Sequence, residues 1–417
     1  MTDRPRRRVA IIGAGAAGCM AAIFSARAGA DTVLLERTRD GGRKILISGG
    51  GRCNILPASV DVTRFVTDSS PNVLRKIVRS WPLAEQVEFF EREVGIPLVE
   101  EPESRKLFPV SNRARDVRDG LLALAAQQGA RLRMDVHVTD VTQESGGTWR
   151  VAVADGDALA CDAVVIASGG LSVPNTGSDG FGLRCAERLG HTIHTTYAAL
   201  TPLTADPPPF AALSGVSLAV SLTARGAERL AVASGGFLFT HRGYSGPAVL
   251  DVSHVAVRSR ADGAAPAAVS VQWTRLGDDE WASALRASGT RTVLGAVRGE
   301  LPDRLAAALV ERAQVDPARP LAELRRDERL RLIDMLVRTP LPWTGDEGYR
   351  KAEVTGGGVS LAEIDPRTME SRKRRGLFLC GEVLDAFGPI GGYNFLWAWA
   401  TGRVAGLGAA HTLGDAE

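Results

Sequence analysis

Cysteine is scarce in this chain. Five thiols in 417 residues (Cys19, Cys53, Cys161, Cys185 and Cys380) stand far apart, with no C-x-x-C pair. That spacing fits neither a zinc site nor a disulfide framework, and it points to a reducing compartment. His191 and His194 flank Ile193 at strand spacing without convergent acids, so no metal is expected. An excess of one charge is also missing: 50 Lys and Arg face 48 Asp and Glu, a net charge of +2. This disfavours a nucleic-acid binder that relies on a bulk basic field. Lysine is rare, with only Lys44, Lys76, Lys106, Lys351 and Lys373, a bias that reflects genome composition rather than function. There is no run of about 18 apolar residues, so no spanning helix and no membrane partner are expected. Arg4, Arg6, Arg7 and Arg8 ahead of Val9–Ala10–Ile11–Ile12 imitate a secretory leader, but Gly13, Gly15 and Gly18 break the apolar run at once. A cytoplasmic protein is expected.

Glycine is what the chain has in excess: 46 residues, about 11% against an ordinary 7% or so. The excess is clustered. With 45% hydrophobic and 24% charged residues the chain reads as globular, and its length suits about two to three domains. Val9–Ile12 is apolar throughout, as buried parallel strands are, and Ala16–Ala28 reads as a small-residue helix able to lie close to a sheet. Thr32–Leu35 is a second strand ending at Glu36, which completes a β-α-β unit. Helical periods follow over 73–94 and 114–128, strand-like alternation over 132–141 and 149–153, and an apolar strand over 163–167. Short β-like runs occupy 216–222, 237–240 and 269–273, and 301–337 is charged and amphipathic. An apolar strand returns at 376–380, and 394–407 reads as a terminal helix. The expected architecture is α/β, with a nucleotide-binding domain from 1–190 and 347–417. Residues 191–346 would be an inserted domain, β-rich and then helical.

Gly13-Ala14-Gly15-Ala16-Ala17-Gly18 is G-x-G-x-x-G directly after a strand and opening a helix. Gly13 permits the tight turn, Gly15 lets backbone approach a pyrophosphate, and Gly18 lets helix pack on strand. The phosphates would meet free N–H groups at the positive end of the helix. Glu36 stands where an acid accepts hydrogen bonds from a ribose diol, and it disfavours a 2′-phosphate there. Three further glycine segments follow: Gly41-Gly42-Arg43-Lys44 with Ser48-Gly49-Gly50-Gly51-Arg52-Cys53-Asn54, then Ser168-Gly169-Gly170, then Gly381-Glu382 with Gly391-Gly392-Tyr393-Asn394. A long flavin dinucleotide needs several separate backbone cradles, so this dispersal favours FAD over NAD.

These segments resemble the HI0933-like family of NAD(P)/FAD-dependent oxidoreductases. The run from Gly42 to Asn54 is similar to that family's signature, and so is Gly381-Glu382-Val383-Leu384-Asp385 with Gly391-Gly392-Tyr393-Asn394. Leu107-Phe108-Pro109-Val110-Ser111, Phe239 to Pro247, and Val354-Thr355-Gly356-Gly357-Gly358-Val359 match it too, in order along nearly the whole chain. Pro389-Ile390 ahead of Gly391, and Phe395-Leu396-Trp397-Ala398-Trp399-Ala400-Thr401-Gly402 after Asn394, resemble its aminoacetone oxidase-like subgroup.

The resemblance implies a Rossmann-like FAD-binding domain of the two-dinucleotide-binding-domains flavoprotein type, with an inserted β-barrel and helical domain. It implies non-covalent FAD, with NAD(P)H as a possible transient electron donor. Gly13, Ala14, Gly15, Ala17, Gly18, Glu36 and Arg37 would serve the pyrophosphate and adenosine. Arg43 and Lys44 would contact phosphate or ribose, and Ser48, Gly51, Arg52, Cys53 and Asn54 would come near the isoalloxazine. The backbone of Val138 would contact adenine. Ser168, Gly169 and Gly170 stand where related flavoproteins have Ala-Thr-Gly, and Gly381 with Glu382 lies near the ribityl chain. Gly392, Tyr393, Asn394 and Phe395 would open the helix facing flavin N1–C2=O.

The implied activity is oxidation of a small amine or amino-ketone, with NAD(P)H-driven reduction of an unsaturated small molecule as the alternative. Tyr244 and His241, in a Thr-His-Arg-Gly-Tyr-Ser-Gly-Pro loop, are the candidate acid and base, with structural hydrogen bonding as the rival reading. Cys53 reads as a small filler rather than a redox partner, because no resolving cysteine lies nearby. Trp397, Trp399 and Tyr393 would either roof the flavin or pack the last helix. Two basic runs, Arg4 to Arg8 and Arg372-Lys373-Arg374-Arg375, keep open a flavin-dependent RNA-modifying or RNA-binding protein, although such runs are more often solvated turns.

Overall fold

The computed structural model describes residues 6–261 and 265–411, so Arg4 of the N-terminal basic run lies outside the described residues. The chain divides into unit 1, Met1–Thr196 with Val354–Glu417, and unit 2, Tyr197–Glu353. The divisions expected at 190 and 346 fall instead at 196/197 and 353/354.

Unit 1 is built on a five-stranded parallel sheet, ordered β20 (Leu377–Leu379), β10 (Ala163–Ile166), β1 (Arg8–Ile12), β2 (Asp31–Leu35) and β6 (Arg131–Arg133). Val9 to Ile12, Ala163 to Ile166 and Leu377 to Leu379 are all buried, which is why these strands read as unbroken apolar runs. Helix α1 (Ala16–Arg27) crosses the sheet and is covered by the terminal helix α12 (Tyr393–Ala410). Their contact is close because α12 presents glycine. A Cβ at Gly402 or Gly406 would lie 2.3 or 2.4 Å from a carbonyl oxygen of α1. α5 (Ala114–Gln127) packs on the same helix.

Two sequence expectations are corrected here. The helix expected over 73–94 is broken: α3 (Pro71–Arg79) ends before Pro82, and α4 (Leu83–Glu88) then passes into a π-helical turn over Phe89–Glu93. Proline lacks the N–H that would have continued α3. The strand expected over 132–141 is two strands in two sheets, divided at Asp135, whose φ is 60°. Its second part, β7 (Val138–Gln143), is the edge of an antiparallel sheet with β8 (Trp149–Val153) and β9 (Leu159–Cys161). A third sheet is ordered β3 (Leu56–Pro57), β5 (Lys106–Pro109), β4 (Leu98–Glu101). Three helical pieces, α2 (Arg43–Ile47), α6 (Phe181–Arg188) and α12, begin at glycine-rich turns. The chain leaves unit 1 along β11 (Ile193–Ala199) and re-enters on β19 (Val354–Val359), which pairs with it.

Unit 2 holds an antiparallel sheet of β16 (Ala268–Gln272), β13 (Ser217–Arg225), β14 (Leu230–Thr240), β15 (Gly243–Ser245) and β12 (Leu203–Thr204). One segment closes it. β17 (Thr339–Pro340) pairs with β16, and β18 (Gly345–Asp346), a few residues on, pairs with β12. Between them Leu341 N donates to Val269 O and Thr344 N to Thr204 O, so both edges meet on one strip of chain and the sheet becomes a barrel. Phe237, Phe239, Tyr244 and Trp273 fill its core. α7 (Pro247–Ala261) packs on β13 and β14, and α8 (Asp278–Ala284), α9 (Val293–Arg298), α10 (Asp303–Arg312) and α11 (Arg326–Val337) supply the helical part. No described helix is long and apolar enough to cross a membrane.

Candidate flavin-dinucleotide site

The carboxyl ends of β1, β2, β10 and β20 bring the glycine segments to one edge of the parallel sheet, where ligands bind in open α/β folds. Within the first segment the glycines have different work. A Cβ at Gly18 would sit 1.8 Å from Gly13 O, so that glycine is required by the protein itself. A Cβ at Gly15 would meet nothing within 4 Å, although Gly15 caps an α1 start that has neither a side-chain cap nor an acid in its first turn. The space above Gly15 is therefore kept clear beside a row of free N–H groups, as a pyrophosphate requires. The residues present fit the dinucleotide.

Glu36 braces the phosphate turn from the end of β2. Its buried carboxylate accepts from Ala14 N at 2.7 Å and from Thr38 N and Oγ1 at 2.8 and 2.7 Å, which ties the β2 end to the phosphate turn. Val136 N donates to Glu36 O and Asp135 N to Thr38 O, so Val138 lies two residues from this strip on the unpaired edge of β7. An edge strand keeps backbone groups for another partner. Arg37 donates to Asp179 at 2.6 Å and to Gly177 O at 2.8 Å. A cavity of about 320 Å³ is lined there by Arg37, Thr38, Arg43 and Asn175 among others.

Lys44 and Glu382 form the centre of a partly buried network. Lys44 Nζ donates to Glu382 Oε2 at 2.6 Å and to Ser172 Oγ at 2.7 Å. Glu382 Oε1 accepts from Ser172 Oγ at 2.6 Å and from Thr355 Oγ1 and N at 2.9 and 3.0 Å. Burial works to raise the Glu382 pKa, but Lys44, Ser172 and Thr355 outweigh it and hold the carboxyl below its ordinary value. This network joins α2, the loop after Ser168–Gly170 and the Gly381–Glu382 turn. Glu382 and Lys44 thus hold the glycine segments to one another, and their charges are already matched.

The run Ser48–Asn54 turns through left-handed residues, Gly49, Gly50, Gly51 and Cys53 (φ 56°, 68°, 85° and 63°). Ser48 Oγ donates to Ile45 O. Arg52 lies over the Phe108 ring and donates to Glu101 at 2.9 Å. Cys53 is fully buried, and burial pushes its thiol up to about 12, so it is no redox nucleophile. Ser168 Oγ accepts from Gly182 N at the start of α6. Ala17 of α1 is packed against Gly381 and Gly402. At the start of α12, Asn394 bonds both Gly388 N and Gly388 O, and Tyr393 Oη bonds Ser59 and Asp61. Trp397 and Trp399 are buried and donate to Gly381 O and Ile55 O, and Phe395 stacks on Trp399. Those aromatics pack the last helix.

The proposed acid and base fare differently. Tyr244 is 1% exposed among Phe210, Phe237 and Phe239, and its hydroxyl donates to Pro342 O at 3.0 Å. Burial raises its pKa further. It is a core residue of the barrel, with its hydroxyl already spent on a backbone carbonyl. His241 is exposed on the turn between β14 and β15 and makes no hydrogen bond or ion pair among the described residues. His191 and His194 do not converge: His191 bonds Glu363 and Ser371, whereas His194 lies 3.7 Å from Asp385. Among the described residues no three His, Cys, Asp or Glu gather as metal ligands. Three residues of the second basic run make local bonds, Lys373 to Glu363, Arg372 to Ile364 O and Arg374 to Leu189 O.

Three residues of the site escaped sequence reasoning. Arg118 reaches from α5 to donate to Asp40 O and Gly41 O, bracing the turn that opens α2. Ser172 and Thr355 complete the Glu382 network. Only Thr355 had a signal, its place in the Val-Thr-Gly-Gly-Gly run.

Over residues 7–408 the chain matches the HI0933-like protein Rossmann domain. It is 32% identical over 413 residues to the 3-dehydro-bile acid delta(4,6)-reductase of Clostridium scindens, covering 97% of this chain and 99% of that protein. It is 33% identical over 402 residues to the ribosomal RNA dihydrouridine synthase of Escherichia coli, covering 94% and 95%. Among solved structures, the 3-ketosteroid-delta4-(5alpha)-dehydrogenase of Rhodococcus jostii RHA1 aligns over 99% of both chains at 15% identity, with a TM-score of 0.49. The chain belongs to the HI0933-like family and is an FAD-dependent oxidoreductase.

Proposed function

We propose that this enzyme reduces a carbon–carbon double bond conjugated to a carbonyl, with electrons from NAD(P)H. One observation carries the reading. Two relatives that align over nearly their full lengths are named for a delta(4,6)-reductase of a 3-dehydro-bile acid and for a dihydrouridine synthase. An unsaturated 3-oxo steroid and a uracil share an alkene polarised by a neighbouring carbonyl, and each gains two hydrogens on becoming product.

When bound, the flavin supplies hydride transfer. The chain's own residues position it. Gly13–Gly18 and Glu36 receive the adenosine diphosphate half, and the Lys44–Glu382 network holds the segments around the remainder. Unit 1 has one G-x-G-x-x-G turn on one parallel sheet, so NAD(P)H is read as a transient donor rather than a second resident. Five unpaired, buried cysteines suit the reducing interior of a cell.

A second reading is oxidation of a small amine or amino-ketone, favoured by the Pro389–Gly402 run, which forms the start of α12 with Leu396 buried. Anaerobic mixing separates the two. Loss of the flavin's visible absorbance with NADPH, and its return on adding a steroid dienone or a uridine-containing RNA fragment, supports the reductase. Bleaching by aminoacetone, with peroxide released in air, overturns it in favour of the oxidase.

A further inference from the structure

Most of the cations around the glycine segments already have a counter-charge. Lys44 is paired with Glu382, Arg52 with Glu101, Arg43 with Asp40 and Arg37 with Asp179. Lys106 has no such close ion pair. It is half-buried on β5, opposite Pro57 of β3 and Glu101 of β4. The Glu101 carboxylate is taken up by Arg52 at 2.9 Å and Ser104 at 2.5 Å, and no carboxylate oxygen lies within 4 Å of the Lys106 ammonium among the described residues.

The Lys106 stem is also held in place. Its Cε, Cγ and Cδ lie 3.3, 3.6 and 3.9 Å from the point where a Cβ on Gly391 would stand. The turn it crosses is fixed by Gly392, where a Cβ would be 2.4 Å from the Leu56 carbonyl carbon. The Glu101 carboxylate, shared already with Arg52 and Ser104, feels Lys106 only beyond ion-pair distance, so the half-buried ammonium keeps room for an electron-rich partner beside it.

We propose that Lys106 is a positioning charge for the flavin, set against the pyrimidine edge that becomes negative on reduction. This inference rests on the flavin reading above and adds a residue and a role to it. A positive charge there makes the reduced state easier to reach and keeps that edge from taking up a proton. The first turn of α12 adds no acid to cancel it.

The test compares wild type with Lys106→Met and Lys106→Arg, each loaded with FAD. In Lys106→Met the redox equilibrium against a reference dye should shift at least tenfold toward the oxidised form, about 30 mV for a two-electron couple. The reduced protein should also take up its flavin proton at a higher pH, seen as a change in the reduced spectrum. Lys106→Arg should restore both properties. If Lys106→Met holds FAD poorly, Lys106→Gln carries the same measurement. An unchanged potential and proton uptake in a yellow variant overturns the proposal and leaves the flavin reading standing. So does a raised KM for an anionic substrate at unchanged potential, which would assign Lys106 to substrate instead. A wild type that cannot be loaded with FAD overturns both.

Discussion

Removing the Glu382 charge tests how the flavin site is held together. The carboxylate receives four donors at 2.6–3.0 Å: the Lys44 ammonium, the Ser172 hydroxyl, and the Thr355 hydroxyl and N–H. The two charged side chains are 26% and 17% exposed, so water screens them little. Glu382→Gln keeps the shape and one acceptor but leaves Lys44 partly buried without a counter-charge. Breaking one side of a buried pair costs about 3–5 kcal/mol, and the retained amide oxygen favours the lower end. For a unit of this size about 3 kcal/mol lowers Tm by roughly 6 °C. Lys44→Met should cost less, about 2 kcal/mol, because three neutral donors still solvate the carboxylate. The double variant should then be about 1–2 kcal/mol more stable than the two losses added together. Denaturant unfolding of the apoprotein gives these values free of the stabilisation that FAD itself adds. Losses that add to within about 0.5 kcal/mol would refute the coupling and leave Lys44 and Glu382 as independent ligands of the cofactor.

The two glycines of the phosphate turn should part company. Gly15→Ala should fold with near-normal stability and lose FAD binding, whereas Gly18→Ala should fail as a fold; a Gly15→Ala protein that remains yellow contradicts the pyrophosphate placement. His254 in α7 gives unit 2 an acid limb. Burial is the main cause that lowers its pKa to about 4, with Arg258 and Arg229 adding to it and the Asp251 carbonyl opposing. Because the folded pKa lies below the unfolded one, the stabilisation is complete above about pH 6.5 and drains away as pH falls toward 4, about 3 kcal/mol in all. His254→Leu should flatten unfolding free energy across that window, and an unchanged slope would count against the assignment. Tyr244→Phe should leave flavin reduction by NADPH within about twofold of wild type while lowering stability by about 1 kcal/mol for the lost bond to Pro342 O. A tenfold slower reduction would return Tyr244 to the chemistry.

The fold was legible where backbone needs forced a residue type. Val9–Ile12, Gly13–Gly18 and Glu36 announce the first β-α-β unit because buried parallel strands must be apolar and the phosphate turn must be glycine. The segment 132–141 misled because Leu132, Met134, Val136 and Val138 alternate without a break, while the left-handed turn at Asp135 redirects the chain into a second sheet. Proline at 82 was a readable stop that the helical period around it concealed. Barrel closure in unit 2 depends on a strip, 339–346, whose two-residue strands carry no alternation to detect.

The site divides along the same line. Groups at the tight turns are glycines and survive as motifs. Groups that brace those turns come from elsewhere in the chain: Arg118 from α5, Ser172 from the loop after Gly170, Thr355 from β19. Each is an ordinary residue in its own neighbourhood, and only tertiary contact makes it part of the site. Tyr244 shows the converse, a motif residue whose chemistry looked available until the barrel closed over it. In this chain the glycine clusters mark the turns that the fold gathers at one edge of the sheet, whereas a polar residue inside a motif acquires its role only from what surrounds it.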